Sequence, residues 1–262
     1  MVELAIEAAR EAGRLLRLHI GRPRDIEVKL GQETNLVTDA DKKAEKTIIR
    51  VIKSRYPSHD FLAEESGLHN QVSDYRWIID PLDGTTNFAH GVPIFCVSIA
   101  LEHKGRIILG VVYDPNLDEL FVAERGRGAF VNSRPIRVSK TSLLRESLLV
   151  TGFPYNIADN PDRAIERFVA FLKEARAVRR LGSAALDLCY VAAGRFDGFW
   201  EVFLNPWDMA AGVLLVEEAG GTFTDFRGHP SSVYDKQVLT SNGLIHDSMI
   251  RVLKQVGEQP RR

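Results

Sequence analysis

Apolar and polar positions repeat with two different periods along the chain. Between residues 2 and 20 the apolar side chains recur every three or four positions, which predicts an amphipathic surface helix. A second stretch with this period begins at Thr38 or Asp39, both suited to a helix N-cap, and runs to about Tyr56, where Pro57 ends it. Two helices are therefore predicted in the N-terminal part of the chain.

From Tyr75 onward the pattern changes to short runs rich in β-branched and aromatic residues, divided by turns, which predicts an antiparallel sheet. The predicted strands of this sheet are 75–80, 94–102, 106–113 and 119–124. After about residue 140, strands alternate with helices. The predicted strands there are 147–152, 197–201, 221–225 and 237–241, and the predicted helices are 161–175, 184–193, 207–219 and 243–256. The pattern indicates one compact domain of two mixed αβ lobes, about 1–138 and about 139–262.

Composition narrows the function classes. Lys and Arg total 34 against 35 for Asp and Glu, a formal net charge of −1, so no overall field favours nucleic acid or an anionic membrane. The sequence has no apolar run near the ~18 residues of a membrane span and no secretory signal pattern, which predicts a cytoplasmic protein. Cys96 and Cys189 lie in apolar surroundings without metal-ligand spacing, and we interpret both as buried core residues.

The most informative stretch is residues 77–87, Trp-Ile-Ile-Asp-Pro-Leu-Asp-Gly-Thr-Thr-Asn. An apolar strand leads directly into a turn that holds two carboxylates, Asp80 and Asp83, with the carbonyl of Leu82 between them. Two such charges about 4 Å apart repel by about 4 kcal/mol at an effective dielectric of ~20, a cost that a cation would offset. Oxygen ligands favour magnesium, manganese or calcium over zinc or copper. Taken alone, Asp83 followed by Gly84 is also an ordinary turn or helix cap.

Three further acidic segments have simple local interpretations when each is taken alone. Glu64 follows the strand-like run 61–63 and is adjacent to a second glutamate, which is typical of a solvated turn. Asp208 begins an apolar helical segment, where helix capping explains it. Asp39 and Asp41 also fit a helix start. The four acidic segments together, rather than any one of them, point to a metal site.

These segments, in this order, resemble the inositol monophosphatase family of magnesium-dependent, lithium-sensitive phosphatases. The resemblance spans nearly the whole chain and is carried by residues 36–41, 64–66, 77–88 and 207–221. It implies a mixed α/β fold, a layered αβαβα sandwich, with a homodimer as the assembly. It also implies two or three Mg²⁺ ions per site, with Mn²⁺ as a substitute. The substrate would be a small sugar or polyol phosphate, with no nucleic-acid or membrane partner.

The resemblance also assigns roles to individual residues. The implied metal ligands are Glu64, Asp80, the carbonyl of Leu82, Asp83 and Asp208. The implied catalytic residues are Glu64, Thr85 and Asp83, with Thr85 and Glu64 positioning the attacking water and Asp41 orienting the loop that completes the site. The residues implied to bind substrate are Gly84, Thr85 and Thr86 at the phosphate, and Gly182, Ser183, Ala184, Glu201 and Asp208 at the polyol.

The sequence departs from the family pattern at Asn35, where several relatives carry an acid, and in the length of the Lys29 to Asn35 segment. Residues 151–155 are more similar to bacterial and archaeal members, some of which also accept fructose bisphosphate. The leading expectation is hydrolysis of myo-inositol monophosphate. A fructose-1,6-bisphosphatase or dual-specificity enzyme, a nucleotide 3'-phosphatase, and a non-catalytic binding protein on the same fold are the alternatives. Arginines placed for a second phosphate would favour the bisphosphates, and the candidates are Arg163, Arg167, Arg179, Arg180 and Arg195.

Overall fold

The computed structural model describes residues 1–21, 26–28, 36–69 and 72–258. The segment Lys29 to Asn35, where the sequence departs from the family pattern, lies outside these residues. The described part contains seven α-helices, which are α1 (Val2–His19), α2 (Asp39–Lys53), α3 (Thr85–Ala89), α4 (Ala164–Glu174), α5 (Ala184–Ala192), α6 (Pro206–Glu218) and α7 (His246–Glu258). The predicted helices are confirmed within a few residues. Helix α4 starts three residues later than predicted because Asn160, Asp162 and Arg163 have left-handed backbone conformations, which interrupt helical geometry.

The larger sheet has eight strands, in the spatial order β10-β9-β8-β7-β6-β5-β3-β4. Its strands are β3 (Asp60–Ala63), β4 (Gly67–His69), β5 (Tyr75–Asp83), β6 (Cys96–His103), β7 (Arg106–Asp114), β8 (Glu119–Glu124), β9 (Ala129–Val131) and β10 (Arg134–Pro135). The sheet is antiparallel, as predicted, except that β3 pairs with β5 in parallel. That exception places the C-terminal ends of β3 and β5 at the same edge.

The smaller sheet has five strands, in the order β12-β11-β13-β15-β14. They are β11 (Leu148–Thr151), β12 (Ala177–Arg179), β13 (Gly198–Val202), β14 (Thr222–Thr224) and β15 (Gln237–Ser241). β11 pairs in parallel with both β12 and β13, whereas β15 runs antiparallel to its neighbours. A separate two-stranded ribbon joins β1 (Ile26–Val28) to β2 (Leu36–Thr38).

Three apolar clusters stack the elements in layers. Helices α1 and α2 cover one face of the larger sheet. Helices α5 and α6 fill the space between the two sheets, in one continuous core with apolar residues of both. Helices α4 and α7 cover the outer face of the smaller sheet. The order is helix, sheet, helix, sheet, helix, so the predicted αβαβα sandwich is confirmed.

Burial explains why the middle layer lacks amphipathic patterning. Helix α6 is apolar around most of its circumference and buries eight consecutive residues, 209–216, because both of its sides face a sheet. Cys96 and Cys189 are free and fully buried, as predicted. None of the helices in the described ranges is both long enough and apolar enough to span a bilayer.

Candidate active site

The parallel pairing of β3 with β5 brings two of the predicted acids together. The backbone amide of Glu64 donates to the carbonyl of Ile79 at 3.1 Å, which continues the pairing one residue past the end of β3. Glu64 therefore lies beside Asp80, and its carboxylate helps to raise the pKa of Asp80.

The turn after Asp80 is held by its own polar groups. Oδ1 of Asp80 accepts from the amide of Leu82 at 3.0 Å. The hydroxyl of Thr85 lies 3.0 Å from the carbonyl oxygen of Leu82 and 3.2 Å from Oδ1 of Asp41, a fully buried residue of α2. Asp41 is thus placed to fix the orientation of the Thr85 hydroxyl.

Asp83 connects the larger sheet to the middle layer. Its Oδ2 accepts from the hydroxyl of Ser183 at 2.6 Å and from the amide of Ala185 at 2.7 Å, and the thiol of Cys96 lies 3.8 Å away. The bonds from Ser183 and Ala185 both use Oδ2, and the amide of Ala184 also interacts with this carboxylate. Asp83 therefore accepts hydrogen bonds at the first turn of α5 while part of its surface stays open to a pocket.

Asp208, in the first turn of α6, lies close to the same acids. Its Oδ2 accepts from the amide of Asn205 at 2.7 Å, which closes the first turn of the helix. The capping interpretation is therefore correct as a local description. Glu64 and Asp83 are also close enough to Asp208 to shift its pKa, so the residue belongs to the carboxylate group as well.

Burial and mutual repulsion together set the protonation of this cluster. Desolvation raises the pKa of Asp80 well above its ordinary value, and the charges of Glu64, Asp83 and Asp208 add to that shift. The pKa of Asp208 is raised well above its ordinary value for the same two reasons. Desolvation also raises the pKa of Asp83, but hydrogen bonds from Ser183 and from the amides of α5 offset part of the effect and leave it at about 6.

Two loops beside the carboxylates line the pocket. Gly84 has φ 100°, and a Cβ there would lie 2.8 Å from the carbonyl oxygen of Ile94, so this turn requires glycine. Thr85 and Thr86 follow in the first turn of α3, where amides have no intrahelical acceptor. The side chain of Asn87 donates to the carbonyls of Ile94 and Leu181, which ties this loop to the loop that carries Gly182.

Glu201 lies on β13, lines the same pocket and is only 7% exposed. Its carboxylate packs directly on Gly152 and accepts from that residue's amide, and a Cβ at Gly152 would lie 2.3 Å from Oε2. Desolvation, with a contribution from Asp208, raises the pKa of Glu201 to about 8, whereas Arg180 acts in the opposite direction. Because Gly152 has no side chain, the carboxylate of Glu201 can lie directly against its backbone.

One pocket collects most of the residues predicted from the sequence. Its lining includes Asp83, Gly84, Thr85, Thr86, Gly182, Ser183, Ala184, Glu201 and Asp208. The lining does not include Glu64, Asp80 or Leu82, which lie at the C-terminal ends of β3 and β5. The pocket is also lined by Tyr155, Arg180 and Asp187, to which the sequence analysis gave no site role beyond naming Arg180 as a candidate for a second phosphate.

The sequence signal for these three residues was weak. Asp187 is one acid inside an apolar helix, and Arg180 is one of several scattered arginines. Desolvation raises the pKa of Tyr155, and the acids of the cluster add to this shift, which indicates that its phenol lies near them. Of the five arginines considered for a second phosphate, Arg180 alone lines the pocket. Arg163, Arg167 and Arg195 instead pair with Glu166, Asp162 and Glu119 respectively.

Proteins of one known family are similar to this chain along nearly its whole length. Residues 1–258 match the model of the inositol monophosphatase family. An inositol-1-monophosphatase of Mesorhizobium japonicum is 42% identical over 256 residues, covering 97% of this chain and 96% of the relative. A Pseudomonas aeruginosa protein named Nus factor SuhB is 46% identical over 247 residues, covering 92% and 91%. The solved structure of an inositol monophosphatase from Anabaena (Nostoc) has a TM-score of 0.88 and 47% identity, covering 97% of this chain and 95% of that one. The chain belongs to the inositol monophosphatase family, a family of phosphatases.

Proposed function

We propose that this protein is a magnesium-dependent phosphatase that removes phosphate from myo-inositol monophosphate. The observation that carries the proposal is a cluster of four acids from three distant segments, Glu64, Asp80, Asp83 and Asp208, of which Asp83 and Asp208 line the pocket. The same pocket is lined by Glu201, whose carboxyl group is suited to the hydroxyl groups of a polyol.

The donor set fits a hard cation. The groups that raise the pKa of Asp80 after desolvation are all acids, so the cluster has an excess of negative charge that a cation would offset. Within the described ranges, no group of three or more His, Cys, Asp or Glu side chains is already arranged as a ligand set. Because the pKa values of Asp80 and Asp208 are raised, protons would compete with a metal for these carboxyl groups, and this makes affinity pH-dependent.

The proposed ligands are Glu64, Asp80, the carbonyl of Leu82, Asp83 and Asp208, holding two or three Mg²⁺ ions, with Mn²⁺ as a substitute. When bound, the metals neutralise phosphoryl charge, acidify water and stabilise the leaving oxygen. The protein's own part is placement. Thr85, oriented by Asp41, and Glu64 would direct a water in line with the phosphorus atom. The amides of Gly84, Thr85 and Thr86 would bind the phosphate oxygens.

The polyol part of the substrate would contact residues of the middle layer and of the smaller sheet. Gly182, Ser183 and Ala184 form one wall of the pocket, and Glu201 with Asp208 forms another. Since Glu201 accepts from Gly152 while facing the pocket, it can still accept from a substrate hydroxyl. We assign it to substrate choice rather than to bond cleavage.

A direct test compares steady-state hydrolysis of inositol 1-phosphate, fructose 1,6-bisphosphate and adenosine 3',5'-bisphosphate, with magnesium and after exhaustive chelation. We expect inositol 1-phosphate to have the highest kcat/KM and all activity to require the metal. Lithium, similar to magnesium in size but with half its charge, should inhibit. Full activity after chelation would overturn the metal assignment. If none of the esters is hydrolysed, a binding role is favoured instead. This outcome is included because relatives of similar identity carry two different names, inositol-1-monophosphatase and Nus factor SuhB.

Arg180 supports a second candidate, a fructose-1,6-bisphosphatase or dual-specificity enzyme. Its side chain is exposed and lines the pocket, where it could pair with a second phosphate. Arg180→Gln should then reduce kcat/KM for fructose 1,6-bisphosphate more than for inositol 1-phosphate.

The remaining proposals rest on the family resemblance. They are a homodimer in the cytoplasm and a division of labour between two lobes, with residues 1–138 holding metal and phosphate and residues 139–262 binding the polyol. Sedimentation of the purified protein would test the dimer.

A further inference from the structure

Asp187 is a buried acid that the proposed chemistry does not use. It lies in the first turn of α5, between Leu186 and Leu188, and is 1% exposed. Its Oδ1 has no hydrogen-bond partner among the residues that the structure describes. A buried carboxyl oxygen without a partner is costly, and leucine has the same number and branching of side-chain heavy atoms without that cost. Packing alone therefore gives no reason for an acid at this position.

The surroundings of Asp187 supply a reason. The residue lines the same pocket as Glu201, Asp83 and Arg180. All three influence its pKa, which desolvation, Glu201 and Asp83 raise and which Arg180 lowers. Asp187 is thus sheltered from bulk solvent but next to the carboxylate already assigned to the polyol. A polar group that is unpaired in the free protein and adjoins a ligand pocket can obtain its missing partner from the ligand.

We propose that Asp187 is a specificity-determining residue that hydrogen-bonds a hydroxyl group of the polyol part of the substrate, directly or across one water. This inference rests on the proposed function and extends its substrate side. Asp187 and Glu201 together would present two neighbouring carboxyl groups to two hydroxyls of one ring. A carboxyl group can accept, and when protonated also donate, so either hydroxyl orientation can be satisfied. The phosphate end of the substrate does not depend on it.

The test uses the full chain with magnesium and two esters, inositol 1-phosphate and para-nitrophenyl phosphate, of which the second has no polyol. The measured quantity is the ratio of kcat/KM for the two. Asp187→Leu should lower this ratio roughly three- to tenfold through KM for inositol 1-phosphate, with kcat nearly unchanged. Asp187→Asn keeps shape and hydrogen-bonding capacity and should restore most of the ratio. The melting temperature of Asp187→Leu without ligand should equal or exceed that of the wild type.

Asp197→Asn provides a matched control, because both oxygens of this buried acid have partners, the Ser139 hydroxyl at 2.5 Å and the Leu148 amide at 2.7 Å. It should lower the melting temperature and leave the ratio unchanged. If the wild type prefers inositol 1-phosphate and Asp187→Leu shows the same preference, the assignment of Asp187 is overturned, but the proposed function is not. A lower melting temperature with an unchanged ratio would make Asp187 structural. A wild type without any preference for the polyol ester would overturn the proposed function, and this inference with it.

Discussion

The hydroxyl of Ser183 donates a 2.6 Å hydrogen bond to Oδ2 of Asp83, although the two residues are 100 positions apart. The amide of Ala185 donates to the same oxygen. One carboxylate therefore joins the end of β5 to the start of α5. Since Asp83 is also a proposed metal ligand, the wall of the polyol pocket and the metal site share a structural support.

Ser183→Ala should weaken metal binding through this contact. Without the hydroxyl, Asp83 loses a bond that favours its ionised form, and α5 loses the N-cap oxygen that accepts from Leu186. We expect the magnesium concentration for half-maximal activity to rise roughly tenfold, and the free energy of unfolding to fall by about 1 kcal/mol. Activity measured as a function of magnesium, with chemical denaturation, provides both numbers.

Ser147→Ala is the matched control, since the buried hydroxyl of Ser147 donates to the carbonyl of Leu143 outside the pocket. It should lower stability and leave the magnesium requirement unchanged. An equal magnesium requirement in the wild type and Ser183→Ala would contradict the proposed support of Asp83.

The raised pKa of Glu201 predicts how stability depends on pH. Its pKa is about 8 in the folded protein against 4.5 ordinarily, so the folded state binds the proton more tightly. The stabilisation that Glu201 contributes is fully present below pH 4.5 and is lost as the pH rises through 8. In chelator, wild-type stability should fall across this window, and Glu201→Gln should flatten the decline. Denaturant midpoints between these two pH values measure the effect, and identical slopes in the two proteins would contradict it.

Much of the fold could be predicted because helices and strands here carry clear periods. Helix α1 ends one residue from its predicted boundary, and β15 coincides with its prediction. The parallel pairing of β3 with β5 could not be predicted, because hydrophobic patterning identifies strands but not their neighbours. Yet this pairing is what places Glu64 beside Asp80.

Some residues of the candidate site could likewise be predicted from the sequence, and others could not. Asp80 and Asp83 were found because a strand that ends in closely spaced acids has a strong local signal. Asp187 was missed because one acid in an apolar helix has no local pattern, and its importance arises only from the pocket beside it. Asp208 was found through the family resemblance, since its local sequence is explained equally well by helix capping.

Gly152→Ala should disturb substrate choice through Glu201. The new Cβ would lie 2.3 Å from Oε2 and 2.6 Å from Cδ of Glu201, so the carboxylate must move. We expect KM for inositol 1-phosphate to rise roughly tenfold, with hydrolysis of para-nitrophenyl phosphate largely retained. Gly257→Ala on α7 is the control, because its Cβ would approach no heavy atom closer than 4.0 Å. It should leave both KM values unchanged and should not lower stability. Equal KM values in Gly152→Ala and wild type would contradict the role of Glu201.

Asp208 has two structural roles that one substitution can separate. Its Oδ2 accepts from the amide of Asn205 at the start of α6, and its charge interacts with Glu64 and Asp83. Asparagine has the same size and can still accept from that amide, but it carries no charge. Asp208→Asn therefore removes the proposed metal-binding role and keeps the cap.

We expect Asp208→Asn to fold normally, with a free energy of unfolding within about 1 kcal/mol of the wild type. Turnover should fall on the order of a hundredfold or more, about 2.7 kcal/mol of transition-state stabilisation, because a neutral amide binds magnesium weakly. Glu217→Gln makes the same chemical change on the same helix, at an acid that pairs with Arg125. The turnover of Glu217→Gln should stay within about twofold of the wild type, because a partly exposed ion pair contributes little. Steady-state kinetics at low and saturating magnesium compare the two variants, and near-normal turnover of Asp208→Asn at low magnesium would show that Asp208 only caps α6.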